Sequence, residues 1–199
     1  MVGVFTAPSE FIYSSLWSVF SPHHLNSYIS TVQQGIEFFT ATCLNWQPLL
    51  QPDRRKQIIM DSLHFLVNEK RIWLYGYVIM PNHVHILWSK QTDWLNKNVQ
   101  QHFSKYTAQH FKWDLQNHQE DLSVYKSTQS DRDYQFWERR PYKSTMYNRR
   151  VLEQKLDYIH NNPVKAGLCQ LPEEYPYSSA AFYMLNMENP LLTHYMEHI

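Results

Sequence analysis

The stretch Tyr77-Val78-Ile79-Met80-Pro81-Asn82-His83-Val84-His85-Ile86-Leu87-Trp88 decides the fold. Apolar and β-branched residues on either side of Pro81-Asn82 predict two strands, Arg71 to Met80 and His83 to Trp88. A tight turn joins them into an antiparallel hairpin. Side chains alternate along a strand, so His83 and His85 share one face while Val84 and Ile86 fill the other. The second strand is therefore half-buried, and its imidazoles must face something polar. Two nitrogen donors at i and i+2 suit a divalent cation. Hydrogen-bonded strand histidines, or half of a zinc site, are the other readings.

Upstream, Ile36 to Trp46 is rich in β-branched and aromatic residues and predicts a strand. Pro48 and Pro52 punctuate the loop after it, and Asp53 is placed to N-cap a helix with Ile59, Leu63, Leu66 and Val67 on one face. Downstream, a second amphipathic helix turns Leu95, Val99, Phe103 and Tyr106 inward. Asn117 to Asp133 is polar and predicts a loop, Tyr134 to Tyr147 is strand-like, and Arg149 to Asn162 is helical up to Pro163. The order β-α-β-β-α-β-α fits an α+β, ferredoxin-like antiparallel sheet with helices packed on one face and the histidines on a central strand. Residues 1–30 show no period and are read as an N-terminal extension, with residues 31–199 as a single domain.

The last helix carries the second chemical signal, Tyr158-Ile159-His160-Asn161-Asn162-Pro163. At about 100° per residue, Leu152, Leu156 and Ile159 form an apolar stripe, and Tyr158 and Asn162 fall together at its rim. A boundary tyrosine and an ordinary helix terminator is one reading. The other is a phenol nucleophile beside an amide oxygen. With a pKa of about 10, a phenol needs a metal or base to react near neutrality. A cation held by His83, His85 and Asn162 would supply that for attack on a phosphate, chemistry suited to cutting and rejoining DNA.

Composition constrains the partners. Of 199 residues, 18 are Lys or Arg and 18 Asp or Glu, so net charge does not favour nucleic acid. Between Glu138 and Lys165, however, seven basic residues face three acidic ones. Arg139, Arg140, Lys143, Arg149 and Arg150 form the core of that basic strip. The 7 Trp, 14 Tyr and 10 Phe suit a dense core or base stacking. Only Cys43 and Cys169 occur, without metal-ligand spacing, which fits a reduced cytoplasmic protein. No segment has the run of about 18 apolar residues that a membrane span requires.

Taken together, the segments from Tyr77 to Leu87, Phe103-Ser104-Lys105-Tyr106-Thr107-Ala108, Phe136-Trp137-Glu138-Arg139, Tyr158 to Leu168 and Pro172 to Ser179 are similar to one family. The chain resembles the single-tyrosine HUH transposases, most closely their REP-associated tyrosine transposase branch. The resemblance spans about residues 35 to 185. It implies His83 and His85 as metal ligands, Asn162 at the third-ligand position, Tyr158 as nucleophile, and Mg²⁺ or Mn²⁺ as the cation. Lys105 joins the basic strip as an expected DNA contact. The implied partner is single-stranded DNA with a hairpin, and relatives occur as monomers or homodimers. The implied reaction nicks and rejoins the strand through a 5′-phosphotyrosine. The chief alternative is a hairpin-binding protein that no longer cuts; an initiator of rolling-circle replication lacks its helicase segment here.

Overall fold

The computed structural model describes residues 35–199; the expected extension over residues 1–30 lies outside them. Its main elements are β1 (Ile36–Thr42), α1 (Asp53–Asn68), β2 (Ile72–Ile79), β3 (His83–Lys90), α2 (Val99–Asn117), β4 (Tyr142–Met146) and α3 (Arg149–His160). Two short helices follow, α4 (Asn162–Lys165) and α5 (Ala180–Met184). The four strands order as β2-β3-β1-β4, and every pairing is antiparallel. β3 lies between β1 and β2, and β1 between β3 and β4, so each β-α-β unit is split by a strand of the other, the ferredoxin-like arrangement.

Alternation gives the sheet two different faces. Phe39, Ala41, Val84, Ile86 and Trp88 pack with Ile59, Leu63 and Leu66 of α1 and Val99, Phe103 and Phe111 of α2. The buried Arg55 of α1 reaches Asp114 of α2 at 2.6 Å and ties the two helices together. On the opposite face, Ile36, Phe38, Val78 and Leu87 pack with Leu152, Leu156 and Ile159 of α3. The two long helices thus share one face and the Tyr158 helix covers the other.

α3 lies very close to the sheet. A Cβ on Gly76 of β2 would stand 2.7 Å from Cδ2 of Leu156, so glycine is what permits the approach. Residues 177–179 then cover the outer edge of β2. Ile79 N–H donates to the Tyr177 carbonyl at 2.9 Å and Ser179 N–H to the Tyr77 carbonyl at 3.0 Å. Ser179 Oγ also accepts from Tyr77 N–H at 3.0 Å and lies 2.8 Å from Nε2 of the buried His160. One serine therefore joins the end of α3 to an edge strand that would otherwise expose its backbone.

Several boundaries differ from those the sequence predicts. β1 stops at Thr42 because Leu44 N–H donates to the Phe136 carbonyl and Asn45 N–H to Glu138 Oε1. These bonds bend Leu44–Trp46 into a 3₁₀ turn. Pro52, not Asp53, is the N-cap of α1; Asp53 opens the helix and pairs with Lys56 at 2.7 Å. In α2 the inward series is Val99, Phe103, Thr107, Phe111 and Leu115, with Asn98 as the cap; Leu95 precedes the helix and Tyr106 faces outward. From Tyr134 to Tyr147 only Tyr142–Met146 forms a named strand. α3 ends at His160, and the chain restarts as α4 with Pro163 in its first turn. Gly167, at φ +69°, then closes a Schellman motif, with Leu168 N–H donating to the Pro163 carbonyl at 2.9 Å.

Burial holds the His160 imidazole down at about 4, against an ordinary value of 6.5. As pH falls, the unfolded chain takes up this proton first. The support from His160 is therefore complete above about pH 6.5 and is lost as pH drops through about 4. Between pH 7 and pH 5 that loss should be about 2 kcal/mol. His160→Asn, which keeps a polar partner for Ser179, should be less stable at pH 7 and decline less on acidification. Urea denaturation at both pH values checks this; equal declines in the two proteins would place the acid-sensitive group elsewhere.

Candidate active site

Four aromatic rings run in sequence across the α3 face of the sheet and its end. Trp46 meets His83 edge-on at 5.8 Å between centroids, His83 meets His85 at 4.8 Å, and His85 meets Tyr158 at 5.4 Å. Strand register places the middle two: His83 lies opposite Thr42 and His85 opposite Thr40. Phe38, two residues before Thr40 and on the same face, stacks on His85 at 5.3 Å and meets Tyr158 edge-on at 6.3 Å. The hairpin and the tyrosine helix, some seventy residues apart in sequence, therefore converge.

Hydrogen bonds orient the imidazoles. His83 Nδ1 lies 2.8 Å from Asn82 Oδ1, an atom that can only accept, so Nδ1 carries the proton and Nε2 presents its lone pair. His85 Nδ1 lies 2.7 Å from Thr40 Oγ1. His85 is 5% exposed, and its Nε2 is buried without a hydrogen-bond partner among the described residues. An unsatisfied buried nitrogen is costly, and a bound water or cation would satisfy it. Burial, with positive charge on His83 and Lys155 as smaller causes, holds His85 down at about 3, and burial also lowers His83. Both rings are neutral at pH 7, the form in which imidazole donates to a metal. Outer partners of the Asn82 and Thr40 kind commonly fix ligating histidines.

Tyr158 is 43% exposed at the edge of this cluster, and its ring lies 5.5 Å from Lys155 Nζ and 5.7 Å from Lys165 Nζ. Asn162, one turn on, donates from Nδ2 to the Tyr158 carbonyl at 3.3 Å, a bond that does not use its Oδ1. Among the described residues, no three His, Cys, Asp or Glu gather as a metal cluster. A cation here would therefore draw on the two histidines, an amide oxygen and water. Two imidazoles, an amide oxygen and water are donors that a divalent cation can take.

The expected basic strip does not fold as one surface. Lys143 lies opposite Phe39 and so projects from the face away from the histidines, near Glu37 and Gln100. Lys105 is exposed on α2, on that same far side. Arg149 pairs with Glu153 at 2.8 Å, and Arg150 is exposed in the first turn of α3. Arg139 and Arg140 border a groove that also contains Trp46. Strand alternation and helix phase scatter charges that are contiguous in sequence. The cations nearest the phenol are Lys155 and Lys165, which the sequence showed only as part of a local excess. Their i−3 and i+7 spacing from Tyr158 was the available signal. Trp46 carried no signal, because a strand was expected there.

No family model matches the chain. It is 29% identical over 152 residues to a Haemophilus influenzae protein assigned as a REP-associated tyrosine transposase, a match covering 73% of this chain and 79% of that protein. Its structure is similar to that of a REP-associated tyrosine transposase solved with a REP hairpin. The TM-score is 0.58 at 18% identity, covering 79% of this chain and 84% of that one. The sequence match supports the branch named from the motifs, and the structural match supports the α+β fold. No helix among the described residues is long and apolar enough to cross a membrane.

The phenol oxygen of Tyr158 makes no hydrogen bond among the described residues, and its ring is partly exposed. Tyr158→Phe should therefore shift folding stability by no more than about 0.5 kcal/mol. Chemical denaturation of the two proteins measures this; a larger loss would show that the hydroxyl supports the fold.

Proposed function

We propose that this chain is a transposase-like DNA strand transferase that nicks and rejoins single-stranded DNA at hairpin elements. The observation that carries the reading is the unsatisfied, buried Nε2 of His85, held between His83 and the exposed phenol of Tyr158. The homology to a REP-associated tyrosine transposase supports the same class of activity, and the hairpin in the structural relative suggests the form of DNA.

In this reading Tyr158 is the nucleophile. Its oxygen bonds to phosphorus while its proton passes to solvent. The P–O3′ bond breaks with its electron pair on the 3′ oxygen, which takes up a proton and leaves as a hydroxyl. The product is a 5′-phosphotyrosine, which keeps a phosphodiester-like bond, so rejoining by a 3′ hydroxyl needs no nucleotide cofactor. Lys155 and Lys165 stand where a phosphate at the phenol would find two cations. A divalent cation held by His83, His85 and Asn162 would withdraw charge from the phosphate oxygens. Thr40 and Asn82 hold the Nδ1 side of each imidazole, which would leave the Nε2 atoms for such a cation. All the strip residues are exposed, but Arg139, Arg140 and Arg150 are those neither placed behind the sheet nor paired with a carboxylate among the described residues, and they would make the phosphate contacts.

The competing reading is a protein that binds hairpin DNA without cutting. Incubation with single-stranded hairpin DNA from the flanks of its own gene, in Mg²⁺ or Mn²⁺, separates the two. A denaturant-resistant adduct should form at Tyr158 in the wild type and be absent from Tyr158→Phe. Asn162→Ala should reduce it less, because water can replace one ligand. Hairpin binding with no adduct would favour the non-cutting reading, and an adduct that survives in Tyr158→Phe would move the nucleophile elsewhere.

Two further outcomes belong to the same site. Mn²⁺ should bind saturably to the wild type and not to the His83→Ala/His85→Ala double variant; equal binding would end the metal assignment. Arg139→Ala/Arg140→Ala should weaken hairpin and non-hairpin strands alike and make affinity less steeply dependent on salt. An unchanged salt slope would place the main phosphate contacts elsewhere.

A further inference from the structure

Asn45 and Trp46 adopt φ values of +52° and +58°, two successive non-glycine residues in the left-handed region. Side chains with a Cβ enter that region at a cost, and it persists only where surrounding contacts enforce it. Here the contacts are explicit. Leu44 N–H donates to the Phe136 carbonyl at 2.8 Å, Asn45 N–H to Glu138 Oε1 at 2.7 Å, and Trp46 N–H to the Cys43 carbonyl at 3.0 Å. The segment that enforces the turn is anchored in the core by Phe136 and Trp137. The result runs against ordinary folding economy: a tryptophan left 61% exposed, at the end of the ring series that leads to Tyr158.

Beside the indole lies a groove of about 650 Å³. Trp46, Lys126, Gln129, Glu138, Arg139 and Arg140 are among its lining residues. The Glu138 carboxylate is engaged by the Asn45 backbone, while three cationic side chains border the same space. An exposed indole next to guanidinium and ammonium groups matches a nucleic-acid strand with unpaired bases. The base stacks on the ring and the phosphates meet the cations. A base paired within a duplex cannot offer its face in this way.

We propose that this groove binds the unpaired strand of the DNA substrate, with one base stacked on Trp46 and adjoining phosphates on Arg139, Arg140 and Lys126. The proposal rests on the reading of the chain as a DNA-strand transferase and names the subsite that delivers the strand. Since Trp46 touches His83, a nucleotide seated there lies beside the histidines, and the chain can continue past His85 to the phenol. Trp46 would thus act in substrate positioning rather than in the chemical step.

The test is a binding measurement made in chelator, so that no cleavage contributes. The probes are a labelled DNA hairpin with a single-stranded thymidine tail and the same hairpin with an abasic tail of equal length and charge. Wild-type protein should prefer the thymidine tail by about tenfold, the size expected for one stacked base. Trp46→Ala should remove the preference and Trp46→Phe should restore part of it, with thermal midpoints of both variants near that of the wild type. Arg139→Ala/Arg140→Ala should weaken both tailed probes while keeping the preference. Equal affinity of the wild type for the two tails, failure to bind either, or a preference undiminished in Trp46→Ala would overturn the proposal. Failure of the cleavage reading appears instead as a missing adduct with the tail preference intact.

Discussion

Everything at the candidate site depends on side-chain alternation along β3. One face of that strand carries Val84, Ile86 and Trp88 into the core formed with α1 and α2, and burial of those large apolar groups fixes the register. His83 and His85 are thereby committed to the other face, whatever they do there. A slip of one residue would place both imidazoles in an apolar core and Val84 and Ile86 at the site. The apolar core is therefore what positions the polar centre, and the pairing of β3 with β1 brings Thr40 to His85.

The second requirement is that a helix carrying a phenol be held against that face. Leu152, Leu156 and Ile159 provide the apolar contact, and Gly76 lets the helix approach. Such contacts favour burial but tolerate sliding; directional bonds do not. Ser179 supplies these, meeting both the β2 backbone and His160, two residues beyond Tyr158. The segment Pro176-Tyr177-Ser178-Ser179 thus covers a sheet edge and locates the nucleophile candidate at once. Phe38 completes the seating by touching both His85 and Tyr158.

Electrostatics at this surface are local. With no net charge, the protein has little long-range attraction for DNA, so cations must act where they stand. Lys155 and Lys165 stand at the phenol, and Arg139 and Arg140 stand at the groove beside Trp46. The histidines between these two groups are held neutral by burial. A strand laid from groove to phenol would meet positive charge at both ends and uncharged donors in the middle. That pattern suits a bound cation at the centre and phosphates on either side.

The sequence by itself determined the element order, the Pro81-Asn82 hairpin and the common face of His83 and His85, because periods of 2 and 3.6 are local properties of the backbone. It also placed Tyr158 at the rim of its helix, for the same reason. It could not determine that Lys143 and Lys105 lie behind the sheet, since neighbours along the chain need not share a surface. Nor could it show that Ile36–Trp46 stops being a strand at Thr42. The bonds that bend it come from Phe136 and Glu138, more than ninety residues away. Only the tertiary structure decided that His85 would keep a buried nitrogen unsatisfied and that Trp46 would be turned outward, because both follow from contacts between distant segments rather than from any local preference.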